Sequence, residues 1–125
     1  MEQKKHKILL VEDEEPVVLV LGKALTREGY EVTTAGDGEK GKEIALREHP
    51  DVIIADLMLP KMSGMDMIRA IRNDAWGKGV AIIILTNVVD ENILAEAMHQ
   101  ETFYYIVKGD SSMAHVLSAV RSRLK

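Results

Sequence analysis

Cysteine is absent from this 125-residue chain, which removes disulfides and thiolate metal sites from consideration. Aromatic residues contribute only 4%, as one Trp, three Tyr and one Phe. Any core must therefore be aliphatic, built from Val, Ile, Leu, Ala and some of the seven Met. No apolar run approaches membrane-spanning length, and the opening stretch Met1-Glu2-Gln3-Lys4-Lys5-His6 lacks the apolar segment of a signal peptide. Positive charge is also scarce: 16 Lys and Arg face 20 Asp and Glu, for a net charge of -4. That balance argues against non-specific nucleic-acid binding by this chain. What remains is 46% hydrophobic and 29% charged, the composition of one soluble globular domain over 1–125. The expected location is cytoplasmic, without membrane association.

Apolar and polar segments alternate at short spacing, the mark of βαβ units. The pattern predicts strands over 7–11, 31–35, 51–56, 80–86 and 103–107, and helices over 15–28, 38–48, 64–73, 90–100 and 112–124. Pro16 belongs in the first turn of the first helix, and Gly29 is suited to a left-handed cap at its end. Asp37 and Asp90 are candidate N-caps of the second and fourth helices. The segment Glu31-Val32-Thr33-Thr34-Ala35 alternates polar and apolar residues, as an edge strand should. The first, third and fourth strands are apolar throughout and belong in the centre of a parallel sheet. Right-handed crossovers then favour the order 2-1-3-4-5. The predicted fold is α/β, a single (βα)5 doubly wound parallel sheet of flavodoxin-like type.

The chemistry gathers at strand ends. Asp51-Val52-Ile53-Ile54-Ala55 delivers Asp56, and a loop with Pro60 and Gly64 follows. Lys7-Ile8-Leu9-Leu10-Val11 runs into Glu12-Asp13, Ile82-Ile83-Ile84-Leu85 into Thr86, and Tyr104-Tyr105-Ile106-Val107 into Lys108. All four ends fall on the carboxyl edge of the predicted sheet, where open α/β sheets bind ligands. Each feature has an ordinary alternative: Asp56 as a turn former, Glu12-Asp13-Glu14-Glu15 as a charge run favoured by the helix dipole, Lys108 as an exposed loop lysine. Their coincidence on one edge decides for a site. Three carboxylates in a small concavity call for a hard divalent cation, and an all-oxygen set suits magnesium, Mg2+. Asp56 can act as a nucleophile toward phosphorus. Lys108 can neutralise phosphoryl oxygens, and Thr86 can donate a hydrogen bond to them.

At this point the chain resembles the receiver domains of two-component response regulators. The resemblance spans nearly the whole chain and rests on Ile8-Leu9-Leu10-Val11-Glu12-Asp13-Glu14, on Asp56-Leu57-Met58-Leu59-Pro60 with Gly64, on Thr86, and on Tyr105-Ile106-Val107-Lys108. It implies that Asp56 is the phospho-acceptor and Asp13 a direct metal ligand. Glu12 would act on the metal through water, and Met58 would offer its backbone carbonyl. Thr86 and Lys108 match the switch hydroxyl and the lysine of the family, and Tyr105 the aromatic that turns inward on activation. The implied partners are a histidine kinase or phosphotransfer protein as donor and an output partner or effector domain. The implied output or homodimer surface is helix four, strand five and helix five. The chain departs from the pattern at Gly109, where the family usually has Pro, at Asn87 after Thr86, and at Gln100-Glu101-Thr102-Phe103, which lacks the common Gly-Ala pair. No effector domain follows Lys125, so a stand-alone regulator or an excised receiver is expected.

Two further readings use the same residues. An aspartate-nucleophile phosphatase needs a second acid two residues after the nucleophile, and that position holds Met58. A non-phosphorylated binding module of the same fold should have lost Asp56, an acid of the first pair, or Lys108, and all are present. Finally, counting from Val17 puts Val20, Leu21, Ala24 and Leu25 on the sheet-facing side of the first helix. Val18 and Leu19 are left toward solvent as candidate docking residues for the phosphoryl donor.

Overall fold

The computed structural model describes residues 5–102 and 104–124; the predicted start of the last strand, Phe103, lies outside them, as do residues 1–4 of the stretch read against a signal segment. In chain order the elements are β1 (Lys7–Val11), α1 (Glu15–Arg27), β2 (Glu31–Ala35), α2 (Gly38–Glu48), β3 (Val52–Ala55), α3 (Gly64–Asn73), β4 (Ala81–Thr86), α4 (Glu91–His99), β5 (Tyr104–Val107) and α5 (Ser112–Arg123). The strands form one sheet in the order β2-β1-β3-β4-β5. Every neighbouring pair is parallel. A short 3-10 turn over Trp76–Lys78, which sequence periodicity does not predict, joins α3 to β4.

The alternation of side chains along each strand splits the core in two. Leu9, Val11, Ile53, Ala55, Ile82 and Ile84 face α2 and α3, where Ile44, Met67, Ile68 and Ile71 are buried. Ile8, Leu10, Ile54, Ile83 and Leu85 face the other way, against Leu21 and Leu25 of α1 and Val116 and Val120 of α5. Both faces of β1, β3 and β4 are thus covered, which is why those strands carry no polar residue between Ile8 and Val11, Val52 and Ala55, or Ala81 and Leu85. Among the described residues α4 contributes a single fully buried hydrophobic, Ala97.

Local signals set the element ends. Beyond α1, Gly29 has φ 95°, and the amides of Gly29 and Tyr30 donate to the carbonyls of Thr26 and Leu25 at 3.0 and 3.3 Å. This is the Schellman closure that a glycine permits. The Asp37 carboxylate accepts from Lys40 N at 2.7 Å, and that of Asp90 from Asn92 N at 2.8 Å and Ile93 N at 3.2 Å, capping α2 and α4. One expectation for α1 fails. Val20 is 52% exposed rather than sheet-facing, because at about 100° per residue it lies a quarter-turn from Leu21, whereas Val17 and Leu25 stay near the buried stripe. For the same reason Val18 is half-buried, not fully solvent-facing, while Leu19 is 61% exposed.

Gly64, at the start of α3, passes directly beneath the Asp56 backbone. A Cβ there would lie 2.0 Å from the Asp56 carbonyl oxygen and 2.7 Å from Leu57 Cα, and both obstacles are backbone. The Gly64 amide also donates to Leu57 O at 2.9 Å, closing the loop after β3. Gly64→Ala is therefore expected to cost about 2–3 kcal/mol of folding free energy, read as a lower urea midpoint at unchanged slope. A variant as stable as the parent would contradict this close approach.

Candidate functional site

Register brings the strand-end groups together. Val11 pairs with Ala55, and Thr86 with Val107, so Glu12, Asp56 and Lys108 each follow directly on a paired strand residue. Backbone bonds continue the alignment past the strands: Glu12 N to Ala35 O at 2.9 Å, Asp56 N to Val11 O at 3.0 Å and Lys108 N to Thr86 O at 2.9 Å.

The Asp56 carboxylate is buried and accepts on both oxygens. Oδ1 receives the Thr86 hydroxyl at 2.6 Å and the Met58 amide at 3.1 Å; Oδ2 receives Lys108 Nζ at 2.8 Å. Glu12 is buried beside it, 2.9 Å from Lys108 Nζ, and its second oxygen accepts from Glu14 N at 3.1 Å. Lys108 Nζ also contacts Glu14 Oε2. Asp13 is exposed at the rim, and one oxygen each from Glu12, Asp13 and Asp56 lie within 4.8 Å of one another. Three hard oxygen donors with one side open to water fit a divalent cation that keeps part of its hydration shell.

Burial and partners pull the ionisations in opposite directions. Burial pushes the Glu12 carboxyl above its ordinary value, and the Lys108 ammonium and Glu14 amide only partly offset it. Burial acts on Asp56 in the same sense, but the bonds from Lys108, Thr86 and the Met58 amide together hold it below its ordinary value. For Lys108, burial favours the neutral amine, yet three carboxylates outweigh it and keep the ammonium far above its usual range. The result is an ionised, hydrogen-bonded Asp56 at neutral pH.

Tyr105 is half-buried against the α2–α3 core, and its hydroxyl donates to Val88 O at 2.7 Å. Val88 N in turn donates to Thr86 Oγ1 at 3.4 Å. A continuous chain of polar contacts therefore runs from Asp56 through Thr86 and the Val88 peptide to Tyr105. Burial, and the charges of Asp90 and Asp56, push the Tyr105 hydroxyl above its ordinary pKa. The Lys108–Gly109 bond is trans.

The structure thus unites Glu12, Asp13, Asp56, the Met58 amide, Thr86 and Lys108, and connects Tyr105 to them. Val18 and Leu19 lie apart, lining a shallow concavity on α1 with Gly22, Lys23, Thr26 and Arg27. Glu14 is the contact that sequence reasoning missed. It appears there only as part of an acidic run, and its one signal is that it directly follows the acid pair on the edge that carries Lys108.

Comparison with known proteins agrees with this geometry. The family described as the response regulator receiver domain matches residues 8–121. The chain belongs to the response regulator receiver family. Receiver domains of this kind are phosphorylation-dependent signalling switches of two-component systems, not metabolic enzymes. The chain is 37% identical over 86 residues to the probable transcriptional regulatory protein TcrX of Mycobacterium tuberculosis, covering 69% of this chain and 37% of that protein. It is 37% identical over 94 residues to a probable chemotaxis protein CheY of Rhizobium etli, covering 74% and 73% of the two chains. The receiver domain of sensor histidine kinase PA1611 from Pseudomonas aeruginosa superposes with a TM-score of 0.84 at 28% identity, over 98% of this chain and all of the other, and carries magnesium in its active-site cleft. Four transcriptional regulators are matched over only 28–42% of their length. The acidic cluster of Glu12, Asp13 and Asp56 is typical of a receiver magnesium site.

Lys108 sets the acid response of the fold. A carboxylate with a depressed folded pKa contributes stability that is present above its unfolded value and lost as pH falls through the folded one; that is Asp56 in the native chain. Replacing Lys108 by Met removes its main counter-charge and leaves Glu12 and Asp56 buried together. The variant is expected to lose about 3–5 kcal/mol at neutral pH without added cation. Both carboxyls then titrate above their unfolded values, so the variant regains more stability toward pH 5 than the native chain, in which Glu12 alone is raised and Asp56 is lowered. Parallel denaturation curves at the two pH values check this difference in response, and equal pH responses of the two proteins would refute it.

Proposed function

We propose that this chain accepts a phosphoryl group on Asp56 and uses the resulting charge to alter a partner-binding surface. The observation that carries the reading is the state of Asp56: buried, ionised, gripped by Lys108 and Thr86, and within 4.8 Å of an oxygen of the exposed Asp13. A carboxylate oxygen of Asp56 forms a bond to phosphorus as the bond to the donor breaks, and the electron pair leaves with the donor's imidazole or carboxylate. Lys108 neutralises a phosphoryl oxygen, and the Thr86 hydroxyl, already turned toward Asp56, moves its hydrogen bond to the same group. The chain catalyses only its own phosphorylation and dephosphorylation.

Glu12, Asp13 and Asp56 would hold magnesium, with Asp13 and Asp56 direct ligands, Glu12 acting through water and the Met58 backbone carbonyl assisting. The cation supplies charge neutralisation for the incoming phosphoryl group. The donor is a histidine kinase or phosphotransfer protein, and the chain meets it in the cytoplasm. Val18 and Leu19 serve as docking residues on α1. Tyr105 reports the state of Thr86 through Val88 to the surface of α4, β5 and α5. Leu94, Met98, Tyr104 and Val107 are exposed on α4 and β5, which supports that face as the output or homodimer surface. The domain acts without binding DNA directly, in keeping with its net charge of -4.

Acetyl phosphate with magnesium is expected to add one phosphoryl group, seen by intact mass, and Asp56→Asn to abolish the addition with the fold retained. An equally labelled Asp56→Asn protein would identify a different nucleophile. The docking role separates from packing by choice of donor. Leu19→Lys is expected to slow transfer from a phosphohistidine protein by about tenfold, a loss of roughly 1.4 kcal/mol of contact at the transition state, while acetyl phosphate labelling stays unchanged. Equal slowing with both donors would assign Leu19 to packing.

A further inference from the structure

We propose that Glu14 is a positioning residue that occupies Lys108 in the resting site, and that its release of the ammonium limits how fast Asp56 accepts a phosphoryl group. The inference rests on the phospho-acceptor reading above and adds a residue to it.

An ammonium group has three N–H donors. Lys108 Nζ faces three carboxylates: Asp56 at 2.8 Å, Glu12 at 2.9 Å and Glu14. No donor is left over. A phosphoryl oxygen that Lys108 is to neutralise must displace one of the three acids, and they are unequal in the cost of leaving. The Glu12 and Asp56 side chains are 1% and 5% exposed, whereas that of Glu14 is 51% exposed. Before the Asp56 oxygen bonds to phosphorus, releasing either buried acid strips an interior charge of its counter-charge, which is costly. Releasing Glu14 returns a carboxylate to water, and surface pairs of this kind are weak.

Glu14 is also built to let go. It is the N-cap residue of α1, yet its side chain makes no capping hydrogen bond. The helix is started instead by its backbone carbonyl, which accepts from Val17 N at 3.0 Å and Val18 N at 3.1 Å. The carboxylate can therefore swing away without unwinding α1. While in place, it adds negative charge where a phosphoryl dianion must approach and holds the one ammonium that would receive it. As the Asp56 oxygen bonds to phosphorus and the phosphorus–oxygen bond of acetyl phosphate breaks, the electron pair departs with acetate. Lys108 passes from the Glu14 carboxylate to a phosphoryl oxygen in the same event.

The test measures labelling by acetyl phosphate at saturating magnesium for the native chain, Glu14→Gln and Glu15→Gln, with thermal melting alongside. Glu15 is exposed on the next position of the same run and makes no contact with Lys108 among the bonds described, so its substitution controls for net charge. Glu14→Gln is expected to label about two- to fivefold faster, the range that an exposed ion pair converts to. Its melting temperature and its Asp56 dependence should match the native chain, and Glu15→Gln should label at the native rate. A purely structural role would move the melting temperature and leave the rate alone, which overturns the inference. So does equal acceleration by both substitutions, or a native or slower rate for Glu14→Gln while the native chain labels normally. A native chain that takes no phosphoryl group overturns the phospho-acceptor reading itself, a result distinct from the others.

Discussion

Lys108 places one positive charge between two buried carboxylates, Glu12 and Asp56, at 2.9 and 2.8 Å. Two acids at that depth and proximity would repel each other and resist ionisation if left alone. The ammonium reverses this for Asp56, with Thr86 and the Met58 amide completing its shell. Much of the upper edge of the sheet follows from the need to hold that charge. β5 has to lie beside β4 for Lys108 to reach across β4 to Asp56 and Glu12. Gly64 has to lack a side chain so that the Asp56 backbone can sit where it does. Among the described residues no buried side-chain nitrogen or oxygen is without a hydrogen-bond partner, so the buried polar groups of the site are satisfied within an aliphatic core.

How much of this could be read from the sequence varies with the range of the interaction involved. The apolar runs of β1, β3 and β4 were legible because burial on both faces leaves no polar position to blur the pattern. Asp56 stood out because it ends such a run, and Gly29, Asp37 and Asp90 because helix termini have local chemical rules. Val20 was misplaced because an apolar residue a quarter-turn off the stripe looks the same in sequence as one on it. The turn over Trp76–Lys78 is too short to show any period. Glu14 was hidden for a different reason: its partner lies 94 residues away along the chain, and its identity is equally well explained by the dipole of α1. Phase errors and long-range side-chain pairing are where a single sequence runs out.

The fastening of α4 is uneven along its length. At its C-terminal end, the Arg72 guanidinium of α3 donates to the carbonyls of Gln100 at 2.8 Å and Glu101 at 3.0 Å, and to those of Gly77 and Val80 at 2.7 and 2.8 Å. Arg69 pairs with Glu96 one turn earlier. At the N-terminal end, Asp90 caps only its own helix, and the preceding loop is tied down by the bonds of Val88 to Thr86 and Tyr105. With little apolar anchorage in between, α4 is mounted like a lever on a pivot. With the carbonyls of Gln100 and Glu101 held by Arg72, a shift of the loop at Val88 would turn the helix's outer apolar side through an angle instead of sliding it across the domain.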